Sequence, residues 1–321
     1  MNIVKRLTLP FLSFAHLTPV MVLLMVLLGG CDSGRFMETK IFAGGIKASS
    51  SKLNLGRRLY LEHCYACHGI DGGGNGPASK GLLPPPRNFK QGLFKFGHVM
   101  AGELPTDDDL VRILRRGLHG TAMLPWDLEK PAALAVIQYI KTFAPKVWEG
   151  EDKKLGQVMV LTKDPYGLAH KESAVRRGKE VYHLEANCQS CHRAYVSKEE
   201  FSAMNEKVNG EKIPLSDIEE DFYKLKLQES EYLYDGTERF VKTLPPDFTW
   251  HLVRSAKTVP ELFLRLKAGV GGTTMPGWHE TLSDEDIWAV SHYVRSLMDL
   301  KDDPKRRKAF MDGIQSGGKQ K

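Results

Sequence analysis

The sequence predicts an all-α protein in which one small helical shell is used twice in tandem. Two observations predict it. The pentapeptide Cys64-Tyr65-Ala66-Cys67-His68 returns as Cys188-Gln189-Ser190-Cys191-His192. After each copy come a Pro-rich loop, a capped amphipathic helix, a loop carrying Thr, Met and Trp, and a closing helix. Gly117 and Gly269, Thr121 and Thr273, Met123 and Met275, and Trp126 and Trp278 all stand 152 residues apart.

C-x-x-C-H is the attachment signature of a c-type haem. Two thiols three residues apart fall on one face of a helical turn, where they can form thioethers with two vinyl groups on one haem edge. The next residue carries its imidazole under the ring, to the proximal side of the iron. The competing reading is a redox CxxC pair, or half a zinc site beside a chance histidine. A second copy in a chain with an export signal favours haem. The expectation is two covalently bound haem c groups, on Cys64, Cys67 and His68 and on Cys188, Cys191 and His192.

The chain has 321 residues, enough for two domains of ordinary size after a leader is removed. Its 42% apolar content fits a soluble globular protein. Formal charge is +6, but Lys5 and Arg6 lie in the leader, so a cleaved form carries +4. With no basic stripe interleaved with aromatics, this gives no case for a nucleic-acid partner. Of five cysteines, four belong to the repeated motif. Cys31 alone remains, so there is no pair for a disulfide and no cysteine for an axial iron ligand.

Residues 1–30 read as an export signal, with Lys5 and Arg6 at the positive end and an apolar run from Val20 to Leu28. Leu28-Gly29-Gly30-Cys31 resembles a bacterial lipoprotein signal, which implies lipidation of Cys31. An uncleaved membrane helix is the alternative, weakened by Pro10, His16 and Pro19. Either form places the haem domains on the outer side of a membrane of the bacterial cell envelope. Residues 31–51 lack periodicity and read as a linker.

The first domain is expected over 52–146. Leu53 to His63 is its first helix, with Gly56 inside it. The run from Gly69 to Pro77 and the segment Pro84-Pro85-Pro86-Arg87-Asn88-Phe89 form loops that can wrap a flat ring. A metal-bound histidine needs a partner for its other ring nitrogen, and the Pro77 carbonyl is the candidate. Thr106 to Asp109 is a capping box for the next helix, and Pro131 opens the last one.

A connector is expected over 147–172 and a second domain over 173–300. Gly178 and Tyr182 repeat the spacing of Gly56 and Tyr60, but two extra residues separate Tyr182 from Cys188. Residues 194–243 have no counterpart in the first half. Ser197 to Thr243 holds twelve acidic and seven basic side chains, which reads as a solvated insertion with helix over Ser216 to Leu227, or as an acidic docking face. Leu244-Pro245-Pro246-Asp247-Phe248 resumes the repeat. Residues 301–321 read as a disordered basic tail.

His-ligated haem iron leaves one axial position to methionine or histidine. A lone methionine is more often core filler. Met123 and Met275 rise above that because each follows a helix-ending glycine by six residues and precedes a tryptophan by three. His119 is the rival at the first haem, but its counterpart in the repeat is Gly271. Trp126 and Trp278 are expected near the ring edges, where ordinary core packing would also place them.

These motifs resemble class I cytochromes c, in two copies covering most of the mature chain. The whole resembles a dihaem cytochrome c associated with periplasmic or membrane respiratory enzymes. The resemblance implies a helical shell around each haem, His/Met iron, and single-electron relay between redox proteins rather than an enzyme. A dihaem cytochrome c peroxidase-like enzyme and a fixed electron-transfer subunit of a larger complex are the alternatives. Two departures stand out. Leu124 separates Met123 from Pro125, whereas Pro276 follows Met275 directly, and no Gly-Pro follows His192.

Overall fold

The computed structural model describes residues 36–234 and 237–316. The leader and Cys31 lie outside them. In order come a hairpin of β1 (Lys40–Phe42) and β2 (Ile46–Ala48), then α1 (Ser50–His63), α2 (Asp107–Arg116) and α3 (Lys130–Lys141). The chain continues with α4 (Lys171–Glu180), α5 (Lys198–Asn209), an antiparallel pair β3 (Gln228–Tyr234) and β4 (Thr237–Thr243), α6 (Val259–Ala268), α7 (Asp284–Met298) and α8 (Pro304–Gln315). The fold is mostly helical, as expected for two tandem shells.

Each shell is closed by its first and last helices. Leu53, Gly56 and Tyr60 are the buried stripe of α1, at the spacing of one helix face. That stripe packs on α3, whose Ala133, Ile137 and Ile140 are buried. A Cβ on Gly56 would overlap the Ala135 carbonyl, so glycine lets the two backbones touch. This outweighs the roughly 1 kcal/mol that glycine costs inside a helix. The second half repeats the device: α4 packs on α7, and a Cβ on Gly178 would overlap the Ala289 carbonyl. The middle helices α2 and α6 begin with capping boxes at Thr106/Asp109 and Thr258/Glu261.

The two extra residues before Cys188 have a local cause. Val181–Glu185 continues α4 as a π-helical turn, and the Ala186 amide bonds to the Val181 carbonyl at 2.8 Å. The wider turn absorbs added length without moving Tyr182 from the core.

Three expectations are corrected. Part of the stretch 31–51 is ordered structure rather than linker: Phe42, Ala43 and Ala48 are fully buried, and Lys40 pairs with Glu149 at 2.6 Å. The α-helix of the insertion lies at Lys198–Asn209, capped by Ser197, and the stretch 216–227 holds only short 3-10 turns, at Leu215–Asp217 and Glu220–Tyr223. The insertion also has a small core of its own, made of Val196, Phe201 and Ile218. The basic tail holds α8, whose Ile314 joins the core of the second half, while Arg307 bonds to Thr249 at 3.2 Å.

Candidate functional site

Both C-x-x-C-H segments fold into the same closed turn. In the first half the Cys67 and His68 amides bond to the Cys64 carbonyl at 3.3 and 3.0 Å. In the second, the Cys191 and His192 amides bond to the Cys188 carbonyl at 3.2 and 2.8 Å. All four cysteines are unpaired and half-buried. Burial pushes the Cys64 and Cys188 thiols up to about 12. A thiol held neutral is a poor redox nucleophile, which counts against the CxxC exchange reading. Among the described residues no His, Cys, Asp and Glu side chains gather into a metal cluster, so the ligands of a structural zinc are not assembled there.

The histidines are held alike. His68 Nδ1 lies 3.1 Å from the Arg87 carbonyl oxygen, and His192 Nδ1 lies 3.3 Å from that of Pro246. A carbonyl can only accept, so Nδ1 carries the proton and Nε2 keeps the lone pair that iron requires. Burial holds the His68 pKa below its ordinary value and that of His192 at about 4, so both rings are neutral at neutral pH. A neutral ring with its outer nitrogen bonded is the form in which histidine ligates a metal. The rings stack on Phe89 at 4.5 Å and Phe248 at 4.8 Å between centroids.

The Pro77 carbonyl is therefore not the partner of His68. The Gly76-Pro77 turn packs against the attachment turn instead, with the Gly76 amide on the Cys67 carbonyl at 3.1 Å and the Ala78 amide on the Ala66 carbonyl at 2.8 Å. The true partners had a sequence signal. Arg87 and Pro246 stand 159 residues apart, two before Phe89 and Phe248, in the echoed Pro-rich segments. The missing Gly-Pro after His192 is thus no defect.

Tyr60 and Tyr182 complete the proximal side. Their hydroxyls donate to the carbonyl of the residue after each histidine: Gly69 at 2.6 Å and Arg193 at 3.0 Å. In the second half a buried carboxylate is added. Asp247 accepts from the Thr249 amide at 2.9 Å, the Thr249 hydroxyl at 2.7 Å and the Tyr195 hydroxyl at 3.2 Å.

The methionine loops share their main hydrogen bonds. The Leu118 amide bonds to the Met123 carbonyl at 2.8 Å, and the Val270 amide to the Met275 carbonyl at 3.1 Å. Thr121 and Thr273 donate to the Leu118 and Val270 carbonyls at 2.7 Å and accept from the Met123 and Met275 amides. Gly117 (φ 62°) and Gly269 (φ 76°) turn the chain out of the helix with positive φ. The Trp126 and Trp278 amides return to the Leu114 and Leu266 carbonyls, both at 3.1 Å. Trp126 lies 5.2 Å from the His63 ring, and Trp278 packs on two clusters of the second core. Both methionines are half-buried. His119 instead lines a cleft of about 410 Å³ with Arg254, Lys257 and Glu261.

A hydrogen-bonded turn that presents two thiols and a neutral imidazole, repeated in a helical shell with a methionine loop, defines a c-type cytochrome domain. Residues 53–144 match the family described as cytochrome c, and residues 173–294 the family described as cytochrome C oxidase, cbb3-type, subunit III. The chain is thus built of two cytochrome c-type domains in tandem. Such domains imply covalently bound haem c and electron transfer. A solved chain from the Kuenenia stuttgartiensis reducing HAO-like protein complex is similar, with a TM-score of 0.58 and 28% identity. The match covers 76% of this chain and 95% of that one. No curated protein gives a significant match.

Proposed function

We propose that this chain is a dihaem c-type cytochrome, tethered to a membrane through lipidated Cys31, that relays single electrons between redox proteins on the periplasmic or extracytoplasmic side. The observation that carries the reading is the doubled donor set. Each half offers two thiols, an imidazole whose proton is fixed on Nδ1, and a methionine in a hydrogen-bonded loop. Cys64, Cys67, His68 and Met123 would hold one haem, and Cys188, Cys191, His192 and Met275 the other.

Haem c supplies, when bound, an iron that changes charge by one electron. The chain does the rest. The Arg87 and Pro246 carbonyls keep each imidazole oriented and basic. Phe89 and Phe248 cover the rings and keep water from them. Methionine sulfur favours the ferrous state and raises the potential relative to a second histidine. If His68 with Met123 and His192 with Met275 hold the two irons, a small substrate would find no ready site, and the protein's contribution would be ligation, burial and docking.

A second reading shares this chemistry. The similar chain belongs to a protein complex, which supports a role as a fixed electron-transfer subunit rather than a mobile carrier. Rapid mixing of the reduced holoprotein with carbon monoxide, with peroxide and with a one-electron oxidant separates relay from enzyme. Fast outer-sphere oxidation with slow carbon monoxide binding is expected, whereas rapid peroxide turnover would establish the peroxidase-like alternative. Cys31→Ser should move the protein from the membrane to the soluble fraction, and unchanged membrane retention would refute the lipid tether.

A further inference from the structure

The two halves are joined at one end of the second methionine loop. A strap of the first half, residues 94–102, lies on it. The Gly271 amide bonds to the Lys95 carbonyl at 3.1 Å, and the Ala101 amide to the Ala268 carbonyl at 2.9 Å. The Phe94 carbonyl fills the space where a Cβ on Gly271 would stand. This explains why the repeat has His119 in one half and glycine in the other.

Two arginines from opposite halves take consecutive carbonyls of the strap. Arg112 on α2 donates to the Phe96 carbonyl at 2.9 Å. Arg265 on α6 donates through Nη1 to the Gly97 carbonyl at 3.1 Å and to the Gly269 carbonyl at 2.9 Å. Gly269 is the residue on which the Met275 loop turns out of α6. Arg265 is 6% exposed, its Nε bonds to Ser255 at 3.1 Å, and its guanidinium sits over the Phe96 ring at 5.3 Å. A planar donor fork suits this double task, which a lysine ammonium performs less well. The first methionine loop receives less in return: Leu252 of the second half lies 3.8 Å from where a Cβ on Gly120 would stand.

We propose that Arg265 is a positioning residue for Met275, and that the first-half strap is part of the second half's distal assembly. Ligation and potential at the second centre then depend on the two halves remaining docked, while the first centre is set by its own loop. This rests on the proposed role of Met275 as an iron ligand.

The test uses the full-length holoprotein and two readouts, the ferric sulfur-to-iron charge-transfer band and the potential of each centre. M123A and M275A assign the signals to the two centres. R265M and G271A should weaken the second centre's band and shift its potential toward that of M275A, with the first centre unchanged. R265K should lie between wild type and R265M. If M275A itself leaves the second centre unaltered, the ligand reading fails, and with it the basis for the inference. If M275A acts but R265M and G271A leave the second centre as in wild type, or shift both centres equally, the positioning role is overturned. Should R265M fail to fold, G271A carries the same readout from the strap side.

Discussion

The two halves hold their histidines alike and differ in what supports that arrangement. His68 and His192 meet equivalent carbonyls and equivalent phenylalanines, and Tyr60 and Tyr182 bond to equivalent backbone positions. Around that common plan the second half adds the buried Asp247, a π-turn with buried His183, an inserted lobe and a strap from its neighbour. The first half has an exposed Leu124 in its methionine loop. The difference teaches that one geometry, an imidazole whose Nδ1 proton is fixed by a backbone carbonyl, can carry different support around it. The distal side can be reinforced from outside.

The comparison can be broken most severely at the helix crossings. Gly56→Ala and Gly178→Ala each force a Cβ into a backbone carbonyl, and each should cost about 3 kcal/mol. Chemical denaturation followed by the haem signal of each half measures this. Insensitivity in one half would end the equivalence of the crossings.

Asp247→Ala comes next. It leaves the Tyr195 and Thr249 hydroxyls and Arg193, 3.5 Å away, without their carboxylate, and should destabilise the second half by about 2 kcal/mol. Unfolding of the first half should be unchanged by the same substitution.

Acid should separate the halves further. His183 is fully enclosed, its Nδ1 donates to the Lys179 carbonyl at 2.8 Å, and its Nε2 accepts from the Tyr195 amide at 3.2 Å. Burial lowers its pKa from 6.5 to about 3. The unfolded chain binds the proton first, so the stability this ring contributes is whole above pH 6.5 and is lost as pH falls toward 3. The first half has Leu61 at the matching place after Tyr60. A pH series of unfolding free energies for wild type and His183→Leu should therefore converge at acid pH. Parallel curves would show that the ring is not held neutral.

The smallest effect is expected in the loops. Thr121→Val and Thr273→Val each remove one hydroxyl that bonds twice, at a cost of about 1 kcal/mol per loop. Amide exchange at Met123 and Met275 should accelerate, more so at Met123, where no strap holds the loop. Equal acceleration would mean that the strap adds nothing to local stability.

The all-α fold and its doubling were legible because the pentapeptide, the capping boxes and the Gly-Thr-Met-Trp order are local patterns that recur at fixed offsets. Gly56 and Gly178 were legible as a repeated pair, each four residues before a tyrosine, for the same reason. The partner of His68 was missed, because its signal, Arg87 and Pro246 each two before an echoed phenylalanine, shows only when the two Pro-rich segments are set against each other. A carbonyl belongs to every residue, so the choice of Arg87 over Pro77 depends on how the Pro-rich loop folds back, which composition does not encode. The hairpin at 40–48 and α8 were missed because such short segments gain their order from the surface they pack on, here Glu149 and the second core. The strap was invisible for a similar reason, since it bonds through main-chain atoms. Its trace in the sequence was the glycine opposite His119.

The most direct test of the whole account is a count of covalent haems together with the axial ligands in the purified, full-length protein. Two thioether-bound haems are expected, both low-spin, each with a sulfur-to-iron band that disappears singly in M123A and M275A. A single haem, or a band at the first centre that survives M123A but disappears in His119→Ala, would contradict it.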